Sequence, residues 1–282
     1  MKTVFVGNRT AVLESIAADT SLHLVAVFAL AGSTIRSAPS AVPLIGFQEA
    51  DKRTVVERLR GIDFDLLVSN GCPFRLPIGD LSAGKPRHFL NVHPSLLPQL
   101  RGRHPVNGAL LFGLKRTGVT LHRMDDEIDT GRVIHRLAID ITDDIDAPLL
   151  YEMLFRLEGR VFQEGIKKLV ESDWLYPGEP QIGGPSVYTR RPEDQRVDFT
   201  EMSDEEIRRR IRAFAVWSQG VSATIEGHPY RIIAADSIVN PAILAEFSGR
   251  QPGTILLRYE EKMLIKTRDG IVRLMSWRPG DR

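Results

Sequence analysis

Short apolar runs alternate with segments of helical periodicity along the first quarter of the chain. Residues 3–7, 22–30 and 64–68 are too apolar for strands that have one face in water, so they predict buried strands. Residues 11–18 and 51–61, between these runs, place apolar side chains at helical spacing. This order of strands and helices predicts an open, mostly parallel, doubly wound α/β sheet.

Beyond residue 100, two predicted strands are followed by a long helix and then by a segment without periodicity. Strands are predicted over 118–123 and 132–141, and a long amphipathic helix over 148–171. Residues 172–197 are rich in Gly and Pro and lack periodicity, which indicates an extended segment. The S-D-E-E sequence at Ser203 matches a capping box and predicts the start of another helix.

Short alternating segments separated by glycines or charged turns follow this helix to the end of the chain. Strands at roughly ten-residue spacing are typical of a small β-barrel or sandwich. The predicted architecture is therefore α/β, with a Rossmann-like, mostly parallel sheet domain followed by a small OB-like β-barrel domain. The predicted boundaries are 1–185 for the first domain, 186–202 for the linker and 203–282 for the carboxyl-terminal domain.

Composition limits the classes of protein that remain. Of the 282 residues, 43% are hydrophobic and 26% charged, and the net charge is +1, which is typical of an ordinary globular protein. This balance argues against broad electrostatic attraction to nucleic acid or to a membrane. The single cysteine, Cys72, excludes an internal disulfide and a Cys-based metal cage. No apolar run approaches the ~20 residues of a membrane span, and no signal peptide is apparent, so we expect a cytoplasmic protein.

Several common motifs are absent. No G-x-G-x-x-G follows the first strand and no P-loop occurs, so neither a nicotinamide cofactor nor an NTPase is predicted. His88, His104, His122 and His135 lack metal-ligand spacing, and we interpret them as packing or surface residues. The acidic loop 125–131 has Thr130 where an EF-hand requires glycine. No metal site is predicted.

The segment 89–103, FLNVHPSLLPQLRGR, is the strongest candidate for a functional site. Asn91 and His93 occupy alternate positions at the end of a predicted strand, so their side chains point to one face. A rigid proline loop follows them. Sites are often carried in this way at the carboxyl edge of an α/β sheet, although a polar strand cap is an equally good explanation of these residues alone.

This segment resembles the signature of the formyltetrahydrofolate-dependent formyltransferases. The resemblance extends over N-V-H, S-L-L-P and R-G, then over G-V-T at 118–120 and I-D-T-G at 128–131. Residues 190–194 and 211–214 resemble the linker and second-domain start of methionyl-tRNA and nucleotide-sugar formyltransferases. The segment 253–281 resembles their carboxyl-terminal barrel.

The resemblance implies a catalytic trio of Asn91, His93 and Asp129. Formyl transfer to an amine passes through a tetrahedral intermediate, and a positioned amide such as that of Asn91 stabilises its oxyanion. Histidine titrates near neutral pH, which makes His93 a general base or, when protonated, a second oxyanion donor. Asp129 would orient His93 and tune its pKa. From its own residues alone, the D-T-G segment is better explained as a turn.

The same resemblance implies that N10-formyltetrahydrofolate is the formyl donor and that three segments contact it. An apolar slot with polar groups at its rim suits a flat pterin ring. Core packing of the two leucines is the competing explanation. The predicted folate contacts are Asn70, Gly71, Leu96, Leu97, Pro98, Asp125, Asp126 and Ile128.

The formyl acceptor is predicted to be a nucleotide-linked amino sugar. Residues 103–107, R-H-P-V-N, are similar to the sugar enzymes, although Gly108 stands where those enzymes often have tryptophan. Residues 201–282 carry a net charge of +2, which is weak for a surface that engages several phosphates. The candidate acceptor contacts are Arg9, His104, Asn107 and Trp217, and core packing also explains Trp217.

Three alternatives stay open at the level of sequence. Initiator methionyl-tRNA is the alternative acceptor, because its formyltransferases resemble this chain in both domains. A formyltetrahydrofolate hydrolase would use the same trio with water as acceptor. A nucleic-acid-binding module built on the carboxyl-terminal barrel would carry a basic and aromatic stripe. Family likeness also implies that this barrel supports a homodimer.

Overall fold

The computed structural model describes residues 1–39, 41–82 and 84–280. Contacts along the chain divide it into two compact units, which are not contiguous in sequence. The first unit comprises 1–105, 117–139 and 152–188, and the second comprises 106–116, 140–151 and 189–282. The domain boundaries given above stay a prediction.

Seven strands form one sheet, which contains the buried strands predicted near the amino end of the chain. The strands are β1 (Lys2–Gly7), β2 (His23–Leu30), β3 (Leu44–Phe47), β4 (Leu66–Asn70), β5 (His88–His93), β6 (Arg116–Arg123) and β7 (Val133–Asp140). Their order across the sheet is β3-β2-β1-β4-β5-β6-β7. The pairs from β3 to β5 are parallel, whereas β5 and β6 are antiparallel. The chain reverses its direction of travel across the sheet between β1 and β4, which is where α/β proteins commonly bind ligands.

A second sheet of five strands is antiparallel throughout. It comprises β8 (Val221–Ile225), β9 (His228–Ser237), β10 (Ile255–Tyr259), β11 (Lys262–Lys266) and β12 (Ile271–Pro279), in the order β10-β11-β12-β9-β8. The predicted fold class, a Rossmann-like mostly parallel sheet followed by a separate small all-β domain, is confirmed.

The helices follow the predicted apolar spacing, except for two short ones at Ile78–Ser82 and Pro241–Glu246. They are α1 (Thr10–Ala18), α2 (Lys52–Arg60), α3 (Ile78–Ser82), α4 (Pro105–Leu111), α5 (Ala147–Glu171), α6 (Asp204–Ala213) and α7 (Pro241–Glu246), with 3-10 turns at Glu49–Asp51 and Pro192–Gln195. The elements β3, α3 and α7 were not predicted. Each has only four to six residues, too few for a period to emerge. The predicted capping box of α6 is present, with Ser203 and Glu206 each bonding the other's backbone N–H.

The core of the first sheet is built from the apolar runs that predicted it. Val4, Val6, Phe28, Leu67 and Phe89 are buried in one cluster. Burial of such side chains contributes about 1.5–3 kcal/mol each. At the end of β1, a Cβ on Gly7 would lie 2.0 Å from the carbonyl oxygen of Asn70. Only glycine lets β1 and β4 approach this closely, so the residues that follow both strands are held side by side.

Candidate active site

The site begins at the carboxyl end of β5, where Asn91 and His93 are carried on a strand. Antiparallel pairing places Asn91 opposite His122 and His93 opposite Thr120 of β6. The Thr120 hydroxyl donates to the Ser95 carbonyl at 2.6 Å and accepts from the Leu97 backbone N–H at 3.2 Å. Strand β6 therefore fixes both the two polar side chains and the loop that follows them.

His93 is buried and has a defined tautomer in its neutral form. Its Nε2 lies 2.9 Å from the carbonyl oxygen of Leu100, which only accepts hydrogen bonds, so Nε2 carries the proton. Leu100 adopts a left-handed backbone with φ of 55°. The other ring nitrogen, Nδ1, faces Asp129 Oδ2 at 3.5 Å. Neutral His93 thus presents Nδ1 as its basic atom.

Asp129 lies between two histidines and has donors on both carboxylate oxygens. Oδ2 accepts from the Gly102 backbone N–H at 2.9 Å, and Oδ1 accepts from Asn91 Nδ2 at 3.3 Å. Its backbone is left-handed, with φ of 55°, and its carbonyl accepts from Gln181 Nε2 at 2.8 Å. Non-glycine residues with this conformation are uncommon, and the surrounding bonds hold Asp129 in it.

His122 completes this cluster, although sequence analysis interpreted it as a packing or surface residue. Its Nδ1 lies 2.8 Å from the Arg123 carbonyl oxygen and therefore carries the proton in the neutral ring. Its Nε2 lies 3.1 Å from Asn91 Nδ2, which donates to it. A strand was predicted over 118–123, but not its pairing with β5, because strand partners are not encoded in a local pattern; this pairing places His122 in the cluster.

The charge state of the cluster follows from burial and from these bonds. Burial opposes ionisation of Asp129, but electrostatic attraction to His93 and His122 and the hydrogen bond from the Gly102 backbone N–H hold its pKa below the usual range. Burial also lowers the pKa of His93 below 6.5, against the opposing effects of Asp129 and the Leu100 carbonyl. At neutral pH the cluster therefore contains an anionic carboxylate beside a neutral imidazole.

The predicted folate residues lie in three places. Leu96, Leu97 and Pro98 line a cavity of about 550 Å³. The remaining lining residues are Gln99, Arg136, Glu179, Pro180, Ile182, Gly183 and Gly184. Leu97 is only 2% exposed, so most of its side chain belongs to the core. Gln181 joins the 179–184 segment to the carbonyl oxygens of Asp129 and Gly131.

The second group of predicted folate residues surrounds the loop that precedes Asp129. Arg75 donates to the Asp126 carbonyl at 2.6 Å, and Thr130 donates to Asp125 Oδ1 at 2.6 Å. These bonds order the loop and leave Ile128 57% exposed. An exposed isoleucine on a loop held by charged residues offers an apolar contact to a ligand.

The third group of predicted folate residues is at the end of β4, where Asn70 is the last residue of the strand and Gly71 follows it. Asn70 is fully buried, and its Nδ2 donates to the Val92 carbonyl at 3.2 Å. A Cβ on Gly71, whose φ is 77°, would lie 2.0 Å from the Asn8 side-chain oxygen. Asn70 therefore connects the end of β4 with β5, and Gly71 gives Asn8 room.

Arg9 is engaged by groups that sequence analysis did not identify. It forms an ion pair with Glu158, a fully buried residue of α5, and its guanidinium carbon lies 4.1 Å from the Phe155 ring centre. Burial raises the pKa of Glu158 to about 7, against the charge of Arg9 and a hydrogen bond from Asn70. Glu158 falls within an amphipathic helix in the sequence, where a single carboxylate carries no distinguishing signal.

The remaining predicted acceptor contacts are separated between the units. His104 belongs to the first unit, whereas Asn107 and Trp217 belong to the second. Asn107 is buried, donates to the Ala213 carbonyl at 2.7 Å and accepts from the Tyr151 hydroxyl at 2.7 Å. Trp217 is 64% exposed. Packing thus explains Asn107 but not Trp217, and their contacts to an acceptor stay predictions.

The part of the chain that the structure describes contains no group of three or more His, Cys, Asp or Glu side chains arranged to hold a metal ion. Within the same residues, no helix has both the length and the apolar character that crossing a membrane requires. Burial raises the pKa of Cys72 to about 12, so this thiol stays protonated and is a poor nucleophile.

The structure thus has a cluster of polar, ionisable side chains at the carboxyl end of β5 in a Rossmann-like sheet. The model of the family described as formyl transferase matches residues 37–166, and that described as formyl transferase, C-terminal domain, matches residues 190–282. The chain belongs to the formyl transferase family.

Solved structures of related fold support the same assignment of architecture. HypX from Aquifex aeolicus matches with a TM-score of 0.69 and 17% identity over 100% of this chain and 46% of HypX. An N-formyltransferase from Helicobacter canadensis, in complex with folinic acid and dTDP-3-aminofucose, matches with a TM-score of 0.71 and 17% identity, covering 97% of this chain and 98% of that one. A sugar N-formyltransferase from Shewanella matches with a TM-score of 0.65 and 17% identity, covering 85% and 99%. This chain spans about half the length of HypX.

Proposed function

We propose that the protein transfers the formyl group of N10-formyltetrahydrofolate to the amino group of a nucleotide-linked amino sugar. The observation that carries this proposal is the buried pair of His93 and Asp129, in which Leu100 fixes the proton on Nε2 and Nδ1 faces the carboxylate. Membership of the formyl transferase family supports the reaction class.

His93 acts as the general base in this proposal. The acceptor amine attacks the formyl carbon and gives its proton to His93 Nδ1, which is unprotonated at neutral pH because burial lowers the pKa of the ring. The resulting imidazolium is stabilised by Asp129 Oδ2, 3.5 Å away. The bond between the formyl carbon and N10 of the folate then breaks, and N10 receives this proton from His93, which returns to its neutral form.

Asn91 stabilises the oxyanion only after one of its N–H groups leaves Asp129 and donates to the oxyanion instead. In the structure its Nδ2 faces both Asp129 Oδ1, at 3.3 Å, and His122 Nε2, at 3.1 Å. When His93 accepts a proton, its Nδ1–H becomes a new donor to Asp129. Asn91 then turns one N–H from Asp129 to the developing oxyanion, so proton transfer and oxyanion stabilisation are coupled.

The folate donor is assigned to the surroundings of Asp129. Leu96 and Pro98 supply apolar walls to the cavity of about 550 Å³, and Glu179 and Arg136 supply polar groups there. Arg136 Nε is buried without a hydrogen-bond partner among the described residues, so a donor for an acceptor atom of the ligand is available. Asp125, Asp126 and Ile128 approach the donor from the loop before Asp129.

The acceptor is assigned to the crevice between β1 and β4, where Arg9 follows β1 and Asn70 ends β4. A guanidinium suits the phosphates of a nucleotide sugar. The Helicobacter canadensis enzyme of similar fold binds dTDP-3-aminofucose, which favours an amino sugar as acceptor here. His104, Asn107 and Trp217 stay predicted acceptor contacts.

The acceptor is tested by incubating the protein with N10-formyltetrahydrofolate and a panel of dTDP-, UDP- and GDP-linked amino sugars, beside initiator methionyl-tRNA. Release of tetrahydrofolate and the mass of the product are measured. We expect one or more sugars to gain a formyl group. Turnover with tRNA alone would overturn the acceptor, and release of formate without any acceptor would indicate a hydrolase instead.

A further inference from the structure

The second unit contains a basic cavity that plays no part in the proposed reaction. It has a volume of about 170 Å³ and is lined by one face of α6 and by the segments around Gly113 and Ile141. Its charged lining residues are Lys115, Arg208, Arg209, Arg212, Asp143 and Glu205. Three of these cations are paired with carboxylates: Arg208 with Asp204 at 3.0 Å, Arg209 with Glu205 at 3.1 Å and Arg212 with Asp143 at 3.3 Å. Lys115 therefore supplies the excess positive charge of the lining, which attracts an anion.

Arg212 forms a fixed wall of this cavity. Its side chain is 17% exposed, and it donates to the carbonyls of Thr142 at 2.7 Å and Ile145 at 2.9 Å. A third bond reaches Asp143 Oδ1 at 3.3 Å. Because backbone carbonyls hold it, the guanidinium keeps its position and loses little conformational entropy when a ligand binds.

Arg209 supplies donors that the protein itself does not use. Nη2 pairs with Glu205 at 3.1 Å, but Nε is buried and has no hydrogen-bond partner among the described residues. Its guanidinium lies over Gly113, where a Cβ would come within 2.7 Å of Nη1. Buried polar atoms are normally bonded, so an unpaired N–H beside a basic cavity indicates an absent acceptor.

Size and charge together limit the ligand. A volume of about 170 Å³ is smaller than the ~300 Å³ at which pockets begin to enclose drug-sized molecules. A nucleoside does not fit, whereas a phosphate group does. Lys115 is exposed and forms no ion pair among the described residues, so it adds a mobile cation at the opening. Arginine forks and a lysine ammonium are common partners of phosphate oxygens.

We propose that this cavity binds a phosphate group through Arg209 and Lys115, with Arg212 as a fixed positive wall. The group is either free inorganic phosphate or the terminal phosphate of a monoester, since both present the same dianionic oxygens. This site is independent of the proposed formyl transfer, because it uses none of the residues assigned to that reaction.

The test is calorimetric titration of the full chain with inorganic phosphate, and separately with ribose 5-phosphate, at constant ionic strength adjusted with sodium chloride. Arg209→Gln is compared with Arg258→Gln, which removes the same charge from an exposed residue of β10. We expect saturable binding of phosphate whose Kd rises at least about tenfold in Arg209→Gln and stays within about twofold in Arg258→Gln. Equal affinity for both ligands assigns the site to the phosphate group, and weaker binding of the ester assigns it to free phosphate.

Circular dichroism checks that Arg209→Gln is folded. Should it not fold, Lys115→Gln replaces it, because Lys115 is exposed and contributes little to packing. We expect this variant to weaken binding about threefold or more, in keeping with a charge-assisted hydrogen bond in contact with water. The proposal is overturned by the absence of saturable phosphate binding, or by equal losses of affinity in the cavity variant and in Arg258→Gln.

Discussion

Asp129, whose side chain is 11% exposed, and the fully buried Glu158 are both carboxylates of the first unit, yet they differ in charge. Asp129 has a backbone N–H, an amide and two imidazoles around it, and its pKa is lowered. Glu158 has the guanidinium of Arg9 and the amide of Asn70, while its Oε2 has no partner among the described residues, and its pKa is raised to about 7. Burial raises the pKa of both carboxylates, so the placement of donors decides which one stays ionised: both oxygens of Asp129 accept a hydrogen bond, whereas Oε2 of Glu158 accepts none among the described residues.

The difference in charge between Asp129 and Glu158 suits the two carboxylates to different roles. A permanent anion stabilises the imidazolium that forms during proton transfer, as Asp129 does for His93 in the proposed mechanism. A carboxylate that titrates near neutral pH responds instead to the charges that enter its surroundings, and an acceptor diphosphate near Arg9 would be such a charge. The two carboxylates are therefore expected to respond differently to substitution.

The largest effect is expected from Asp129→Asn. The amide offers a donor where His93 and Asn91 require an acceptor, so the imidazolium loses its counter-charge and Asn91 loses its position. We expect formyl transfer to fall by about 10²–10⁴, measured as initial rates at saturating donor. Circular dichroism is the control for folding, and a rate near that of the wild type would remove Asp129 from the mechanism.

Arg9→Met tests the ion pair between Arg9 and Glu158 through the free energy of unfolding. It leaves Glu158 buried without its cation, and breaking a buried pair costs about 3–5 kcal/mol. We expect the free energy of unfolding in urea to fall by this amount, and the double variant Arg9→Met, Glu158→Gln to recover part of it. A loss in the double variant equal to that in Arg9→Met alone would contradict the pairing.

His122→Phe is expected to have a smaller effect on the rate. Phenylalanine keeps the volume of the ring but removes the acceptor of the Asn91 N–H, and a lost buried hydrogen bond of about 1–1.5 kcal/mol corresponds to a roughly tenfold lower kcat. Kinetic assays at two donor concentrations separate kcat from KM. An unchanged kcat would show that Asn91 needs no support from His122.

A further effect concerns pH. The folded-state pKa of Glu158 is raised to about 7 from 4.5, so the folded chain binds more protons than the unfolded chain between these values. The stability contribution of Glu158 is therefore complete below pH 4.5 and declines as pH rises to about 7. Relative to Glu158→Gln, the wild type should lose stability between pH 5 and pH 8 in urea titrations. A difference that stays constant with pH would exclude the raised pKa.

The sequence predicted the elements whose pattern repeats over many residues. The buried parallel strands followed from continuous apolar runs, and the shared face of Asn91 and His93 followed from the two-residue period of a strand. His122, Leu100 and Glu158 were missed because they reach the cluster through tertiary contacts: an antiparallel strand pair, a left-handed loop residue and a packed helix. Asp129 was found only through family resemblance, since its D-T-G segment alone is ordinary turn chemistry.

The most direct test of the mechanism is the rate of formyl transfer by His93→Ala beside His228→Ala, an exposed histidine of β9 that serves as the matched control. Both variants are assayed at pH 7.5 with N10-formyltetrahydrofolate and the best acceptor of the panel. We expect His93→Ala to be slower by about 10²–10⁴ and His228→Ala to match the wild type. A His93→Ala rate within twofold of the wild type would contradict the proposed role of His93 as the base.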